Sequence, residues 1–105
     1  MKIFGLKNCD KCRAAQKALN AECIFDIKKN PIPTSILKEA YETYGAALLN
    51  RNSTTWRSLN LSERDQDQLS LMKKYPTLIK RPLIKTEDGR LFSGWNDRIK
   101  ETIFS

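Results

Sequence analysis

The spacing of apolar and polar positions changes character three times along this chain. Residues 2–6, KIFGL, carry Ile3 and Phe4 in a short apolar cluster, which predicts a strand. In KCRAAQKALNA, residues 11–21, Cys12, Ala15 and Leu19 recur at i, i+3 and i+7 among strong helix formers, which predicts an amphipathic helix. CIFDI, residues 23–27, with Ile24 and Phe25, predicts a second strand. Strand, helix and strand in succession predict a βαβ unit, with parallel strands and a right-handed crossover.

NPIPT, residues 30–34, breaks that pattern. Pro33 and Thr34 precede a helix predicted through about Tyr44, with Ile36, Leu37, Ala40, Tyr41 and Tyr44 on one face and Gly45 as its stop. LLNRNSTTWRSLN, residues 48–60, is polar and reads as loop and short turns. SERDQDQLSLMKKY, residues 62–75, predicts one helix. Ser62 would be its N-cap, Asp65 the partner in a weak capping box, and Leu69, Met72 and Tyr75 its core face, with Pro76 ending it. The period then drops to two. PLIKT (82–86) and RLFS (90–93) flank EDG, the signature of an antiparallel hairpin, and Asn96 would cap a last helix with Ile99 and Ile103 one turn apart. The whole predicts a single α/β domain over residues 1–105: βαβ, then ββα, forming a mixed sheet with helices on its faces and a helical insertion at about 33–75.

Composition narrows what such a domain can be. A chain of 105 residues is long enough to fold around one core without staples. It has no apolar run near the roughly 20 residues of a membrane helix. The opening MKIFGLKN is too short and too polar for a secretion signal, so a cytoplasmic protein is expected. The net charge of +7 admits an anionic substrate, an acidic partner or a merely solubilising surface. Its basic doublets, Lys28-Lys29, Lys73-Lys74 and Lys80-Arg81, are scattered, and no stretch interleaves aromatic with basic residues, so direct nucleic-acid binding is not expected. The absence of histidine excludes Ser-His-Asp and Cys-His machinery and every zinc site that needs imidazole.

Against that background the stretch KNCDKC, residues 7–12, stands out. If Cys9 sits where the first strand turns into the first helix, free N–H groups, the helix dipole and the nearby Lys7, Lys11 and Arg13 all favour its thiolate. Cys12, one turn on, is close enough to resolve a mixed disulfide formed on Cys9. Two other readings stay open: half a zinc site, short of ligands because only Cys23 remains, and an inert pair. The βαβ context favours the redox reading. Cys23 reads most simply as a small buried hydrophobe opening the second strand.

Three ordered stretches, IFGLKNCDKCRAAQKAL, ALLNRNSTTWRSLN and YPTLIKRPLIKTEDGRLFSGWNDRI, together resemble the arsenate reductase-related (ArsC/Spx) family, in particular its short arsenate reductase-like (Spx/MgsR) members. The resemblance spans essentially the whole chain and implies a thioredoxin-like fold with a helical insertion. It implies that Cys9 is the catalytic cysteine, that Cys12 makes a redox-active disulfide with it, and that Arg51 and Arg81 bind an oxyanion. It implies a cis Pro82 facing the active cysteine, with Asn8 and Lys11 on the substrate side. Each arginine is also readable as a solvated surface charge. A third family arginine, due after RLF, is missing, and Ser93 or Gly94 falls there. Trp56, Trp95 and Tyr75 are expected to pack rather than to touch substrate. The expected function is a thiol-dependent oxidoreductase acting through Cys9 on a small-molecule thiol or oxyanion. Glutathione would be the reductant, glutaredoxin a candidate partner, and no metal or bound cofactor is needed. The alternative is an Spx-like redox-sensing regulator that binds the RNA polymerase alpha subunit; such regulators generally run on beyond a point equivalent to Ser105.

Overall fold

The computed structural model describes all 105 residues, Met1–Ser105. Apolar Ile3 and Phe4 lie in β1 (Lys2–Gly5), and Ile24 begins β2 (Ile24–Asp26). Between them runs α1 (Asp10–Leu19), closed by Asn20 in the left-handed conformation at φ 52°. β1 and β2 pair in parallel, Ile3 opposite Ile24 and Gly5 opposite Asp26. β3 (Leu83–Lys85) pairs antiparallel with β1, and β4 (Leu91–Ser93) antiparallel with β3, giving the sheet order β2-β1-β3-β4. The β3–β4 turn places Gly89 at φ +88°, a conformation that costs glycine little. This is the mixed α/β sheet that the sequence predicts.

Side-chain alternation along the strands divides the interior in two. Phe4, Leu83 and Leu91 join the larger cluster, built with the helices between β2 and β3. Ile3, Ile24 and Ile84 join a smaller one with Cys12 and Ala15 of α1, against which Phe92, Trp95 and Ile103 pack. Ile103 belongs to α6 (Asp97–Phe104), whose cap is Asn96: its Oδ1 accepts from the Ile99 N–H at 2.8 Å.

The intervening helices follow the sequence less closely. α2 (Thr34–Tyr44) has the expected limits, buries Ile36, Leu37 and Ala40, and stops at Gly45, φ +56°. A single 3-10 turn, Gly45–Leu48, follows. The polar stretch 48–60, expected as loop and turns, contains the helix α3 (Thr54–Ser58). Ser53 Oγ caps it by accepting from Trp56 N–H at 3.1 Å, and Trp56 and Leu59 reach the core. The helix expected over 62–75 is two: α4 (Leu61–Arg64) and α5 (Gln68–Lys74). Asn60, not Ser62, caps the first. Its Oδ1 accepts from Glu63 N–H at 2.8 Å while Glu63 Oε1 accepts from Asn60 N–H at 3.1 Å, a full capping box. Asp67 starts the second by accepting from Ser70 N–H at 3.0 Å. Two caps seven residues apart leave no room for one continuous helix. Leu71 and Met72 are the buried face of α5, with Leu69 and Tyr75 packed beside them.

Past α5, Pro76–Leu78 makes a second 3-10 turn. Leu49 and Ile79 then meet in an antiparallel bridge. Asn50 N–H donates to Leu78 O at 2.7 Å and Lys80 N–H to Leu48 O at 2.9 Å, so the segments flanking Asn50 and Lys80 are tied together. No helix is long and apolar enough to cross a membrane.

Candidate active site

Cys9 is the N-cap residue of α1. Its backbone is extended, φ −89° and ψ 122°; its N–H donates to Leu6 O at 3.1 Å, and its carbonyl accepts from Arg13 N–H at 3.0 Å, starting the helix. No serine, threonine or aspartate oxygen serves the first turn, so the N–H groups there are left for the cysteine sulfur. Partial burial pushes the Cys9 thiol up. The Cys12 backbone N–H, the Cys12 S–H, the Arg81 guanidinium and the Lys11 N–H pull the other way and prevail, so the thiol lies below its usual range.

Cys12 shows the opposite behaviour. It has no exposed surface. Burial pushes its thiol up, the Leu6 N–H pulls it down, and the Cys9 sulfur, as hydrogen-bond partner and as charge, pushes it up again, against a weaker pull from Arg81. The balance lies at about 12. At neutral pH Cys12 is therefore a protonated thiol donating toward a thiolate-prone Cys9.

Cys9 opens into a cavity of about 390 Å³. Lys11, Lys80 and Arg81 bring three cations to its wall, Asn50 and Asn52 bring two amides, and Gly94 completes it. No carboxylate lines it. Gly94, at φ +89°, donates its N–H to Pro82 O at 2.8 Å, which ties the turn after β4 to the segment carrying Arg81. The Arg81–Pro82 peptide is cis and Pro82 is buried. A larger cavity, about 500 Å³, lies against the edge of β2 and includes neither Cys9 nor Arg81.

Of the residues singled out in the sequence, Cys9, Lys11 and Arg81 meet at this cavity and Cys12 lies behind Cys9. Arg51 does not join them. It is exposed, with its guanidinium carbon 5.6 Å from the centroid of the Trp56 ring, where Arg64 also stacks at 5.2 Å. The turn explains this. Asn50 Oδ1 accepts from Asn52 N–H at 3.0 Å, folding the two asparagines into the cavity while the residue between them projects onto the indole. Asn8 is exposed and outside the cavity wall. Cys23 is also exposed, against the expectation of a buried hydrophobe, because it precedes β2 rather than lying in it. Sequence reasoning missed Asn50, Asn52 and Lys80. The signal was present: asparagine on both sides of Arg51, and a second cation beside Arg81. Nowhere do three or more cysteine, aspartate or glutamate side chains gather as a metal site.

Comparison with known proteins bears on the family and the fold. A model of the ArsC family matches residues 4–102. An uncharacterised protein of Haemophilus influenzae is 33% identical, with 98% of this chain and 97% of the relative covered. Among solved structures, a protein named YffB superposes with a TM-score of 0.84 at 28% identity, covering 98% of this chain and 97% of its own. An arsenate reductase (ArsC) related protein from Brucella melitensis does so with a TM-score of 0.66 at 30% identity, covering 100% and 96%. A thioredoxin-like sheet, a cysteine capping the first helix and a family match over nearly every residue lead to one assignment: the chain belongs to the ArsC family.

Proposed function

We propose that the protein is a thiol-dependent oxidoreductase in which Cys9 attacks an oxidised substrate and a second thiol, glutathione or Cys12, releases the product. The observation that carries this reading is the pairing of Cys9, held below its usual thiol range, with a cavity walled by Lys11, Lys80 and Arg81 and by no carboxylate. A thiolate is the nucleophile in disulfide exchange, and clustered cations hold an anionic substrate beside it. At about 390 Å³ the cavity has room for a ligand the size of a tripeptide, well beyond a tetrahedral oxyanion. With Arg51 turned onto Trp56, only Arg81 presents a guanidinium fork at the wall. That composition favours a glutathione mixed disulfide over arsenate. The reaction suits a reducing compartment such as the cytoplasm.

The test is turnover with glutathione, followed by NADPH oxidation through glutathione reductase, on arsenate and on a glutathione mixed disulfide. Activity on the disulfide, lost in Cys9→Ser, is the expected result. Activity that survives Cys9→Ser would sink the mechanism. The Spx-like alternative draws on the spacing of Cys9 and Cys12, three residues apart at the start of α1. It gains only if turnover is absent and the RNA polymerase alpha subunit is captured by the oxidised protein and not by the reduced one.

A further inference from the structure

Gly5 ends β1, opposite Asp26 of β2. Glycine is a poor strand former, and position 5 gives it no conformational excuse: its φ is not positive, unlike those of Gly45, Gly89 and Gly94. What it provides is space. A Cβ placed on Gly5 would fall 2.4 Å from Cys12 Sγ and 3.4 Å from Cys12 Cβ; the next atom, Ile24 Cγ2, is 3.9 Å away. Non-bonded heavy atoms settle at about 3.5–4 Å, so the second and third contacts are tolerable and the first is not. Cys12 Sγ occupies the volume that any side chain at position 5 would take, and the strand behind it gives Cys12 its complete burial.

We infer that Gly5 is a positioning residue for thiol exchange: its missing side chain is the seat that holds Cys12 Sγ beneath Cys9. The inference rests on the reading of Cys9 as the attacking thiol. In that sequence the Cys9 thiolate attacks a disulfide RS–SR, forming Cys9–S–S–R and expelling RS⁻. Cys12 gives its proton to water and attacks Cys9 Sγ. A Cys9–Cys12 bond forms, the Cys9–SR bond breaks, and the second RS⁻ leaves and is protonated by solvent. The substrate gains two electrons and two protons, and the protein dithiol loses them.

A methyl group at position 5 leaves Cys12 one way out, rotation about χ1. A hop between staggered wells carries Sγ about 3 Å. That exceeds the roughly 2 Å of the bond it must form. One of the three wells is in addition closed to helical residues by the preceding turn. Gly5→Ala is therefore expected to leave Cys9 reactive and to misplace Cys12.

The experiment uses an aromatic disulfide that releases one coloured thiolate when Cys9 attacks and a second when Cys12 displaces it, in a Cys23→Ser parent. Gly5→Ala, which also moves the Cys12 S–H away from Cys9, should slow the first release no more than Cys12→Ala does and slow the second by about tenfold or more beyond that. An unchanged second release, or equal slowing of both, overturns the inference. A parent that gives a first release but no second also overturns it, while leaving glutathione as the resolving thiol of the proposed function; a parent with no first release removes both. Stability gives an independent reading if Gly5→Ala folds poorly. Its cost in urea unfolding should shrink in a Cys12→Ala background, where the obstructing sulfur is gone. An equal cost in the two backgrounds overturns the inference.

Discussion

Replacing Cys12 with alanine should slow the chemistry of Cys9, although Cys12 is itself protonated and inert. Burial opposes the Cys9 thiolate, and the groups that prevail over it are the Cys12 N–H, the Cys12 S–H, the Arg81 guanidinium and the Lys11 N–H, in that order. The two backbone donors survive any substitution, whereas the S–H and the guanidinium can be removed. A hydrogen bond to a charged acceptor contributes about 1.5–3 kcal/mol, and a thiol is a weak donor, so about 1 kcal/mol is a fair value for the S–H. Where the thiolate is the minor form, that loss reduces it several-fold. The assay is alkylation by iodoacetamide as a function of pH, with the modified residue mapped by mass in a Cys23→Ser background. Cys12→Ala should react about three- to tenfold more slowly at neutral pH, with the midpoint of its rate profile moved up. Cys12→Ser keeps a donor in place and should stay within about twofold. Arg81→Ala should move the profile the same way by less, because its guanidinium acts on Cys9 through charge across an open, solvated cavity. An unchanged or faster Cys12→Ala, or an Arg81→Ala slower than Cys12→Ala, would refute this account of the site.

Other expectations follow from the same geometry. The Cys12 thiol is raised from 9.0 to about 12 in the folded protein, so its contribution to stability is complete below the unfolded value and lost as pH rises through the folded one. Stability should therefore fall as pH rises from about 9 toward 12, and urea unfolding of Cys12→Ser should show a shallower alkaline decline than wild type. Asn60→Ala removes the side-chain half of the capping box of α4, while the backbone N–H at 60 still donates to Glu63 Oε1, and should cost about 1 kcal/mol, or about 5 °C in Tm by scanning calorimetry. Met72→Ala, at a site with no exposed surface, should cost about 2–5 kcal/mol in urea unfolding. Arg81→Ala should reduce kcat/KM for an anionic disulfide more than Arg51→Ala does, because only Arg81 lines the cavity; the reverse order would mean that Arg51 leaves Trp56 when substrate binds.

What was legible in the sequence was local or strongly periodic. The βαβ unit followed from Ile3, Phe4, Cys12, Ala15 and Ile24, and α2 kept its limits because Pro33 and Gly45 punctuate it and Ile36, Leu37 and Ala40 repeat along it. Asn96 and its final helix were visible for the same reason. The region from 48 to 75 was not, because Ser62 reads as a cap from residue type alone, whereas the actual start at Asn60 depends on whether Glu63 can reach back to Asn60 N–H. Cys23 was misjudged through its residue type, since burial depends on lying inside β2 rather than before it. At the site, Cys9 was legible because a helix start has chemistry of its own. Asn50, Asn52 and Lys80 were not, because a bridge between Leu49 and Ile79 and an asparagine turn bring them to the cavity, and neither leaves a period in the sequence.

The two cysteines show why spacing alone underdetermines such a pair. Cys9 and Cys12 lie on one turn and feel one guanidinium and each other, yet one thiol is pulled down and the other pushed up to about 12. Helix position is one source of the contrast: as N-cap, Cys9 lies beside the uncommitted backbone N–H groups of the first turn, whereas Cys12 lies inside the helix. Depth is the other, and depth is fixed by Gly5, whose bare backbone lets the Cys12 sulfur sink onto the sheet. The asymmetry changes as the reaction proceeds. Once Cys9 carries a disulfide it no longer has a negative charge or a thiolate acceptor to hold the Cys12 proton, and two of the causes that raise Cys12 vanish while the pull of Arg81 remains. The second thiol is thus held inert while Cys9 is free and eased toward its thiolate when Cys9 is occupied, which is the order in which an exchange through two cysteines has to run.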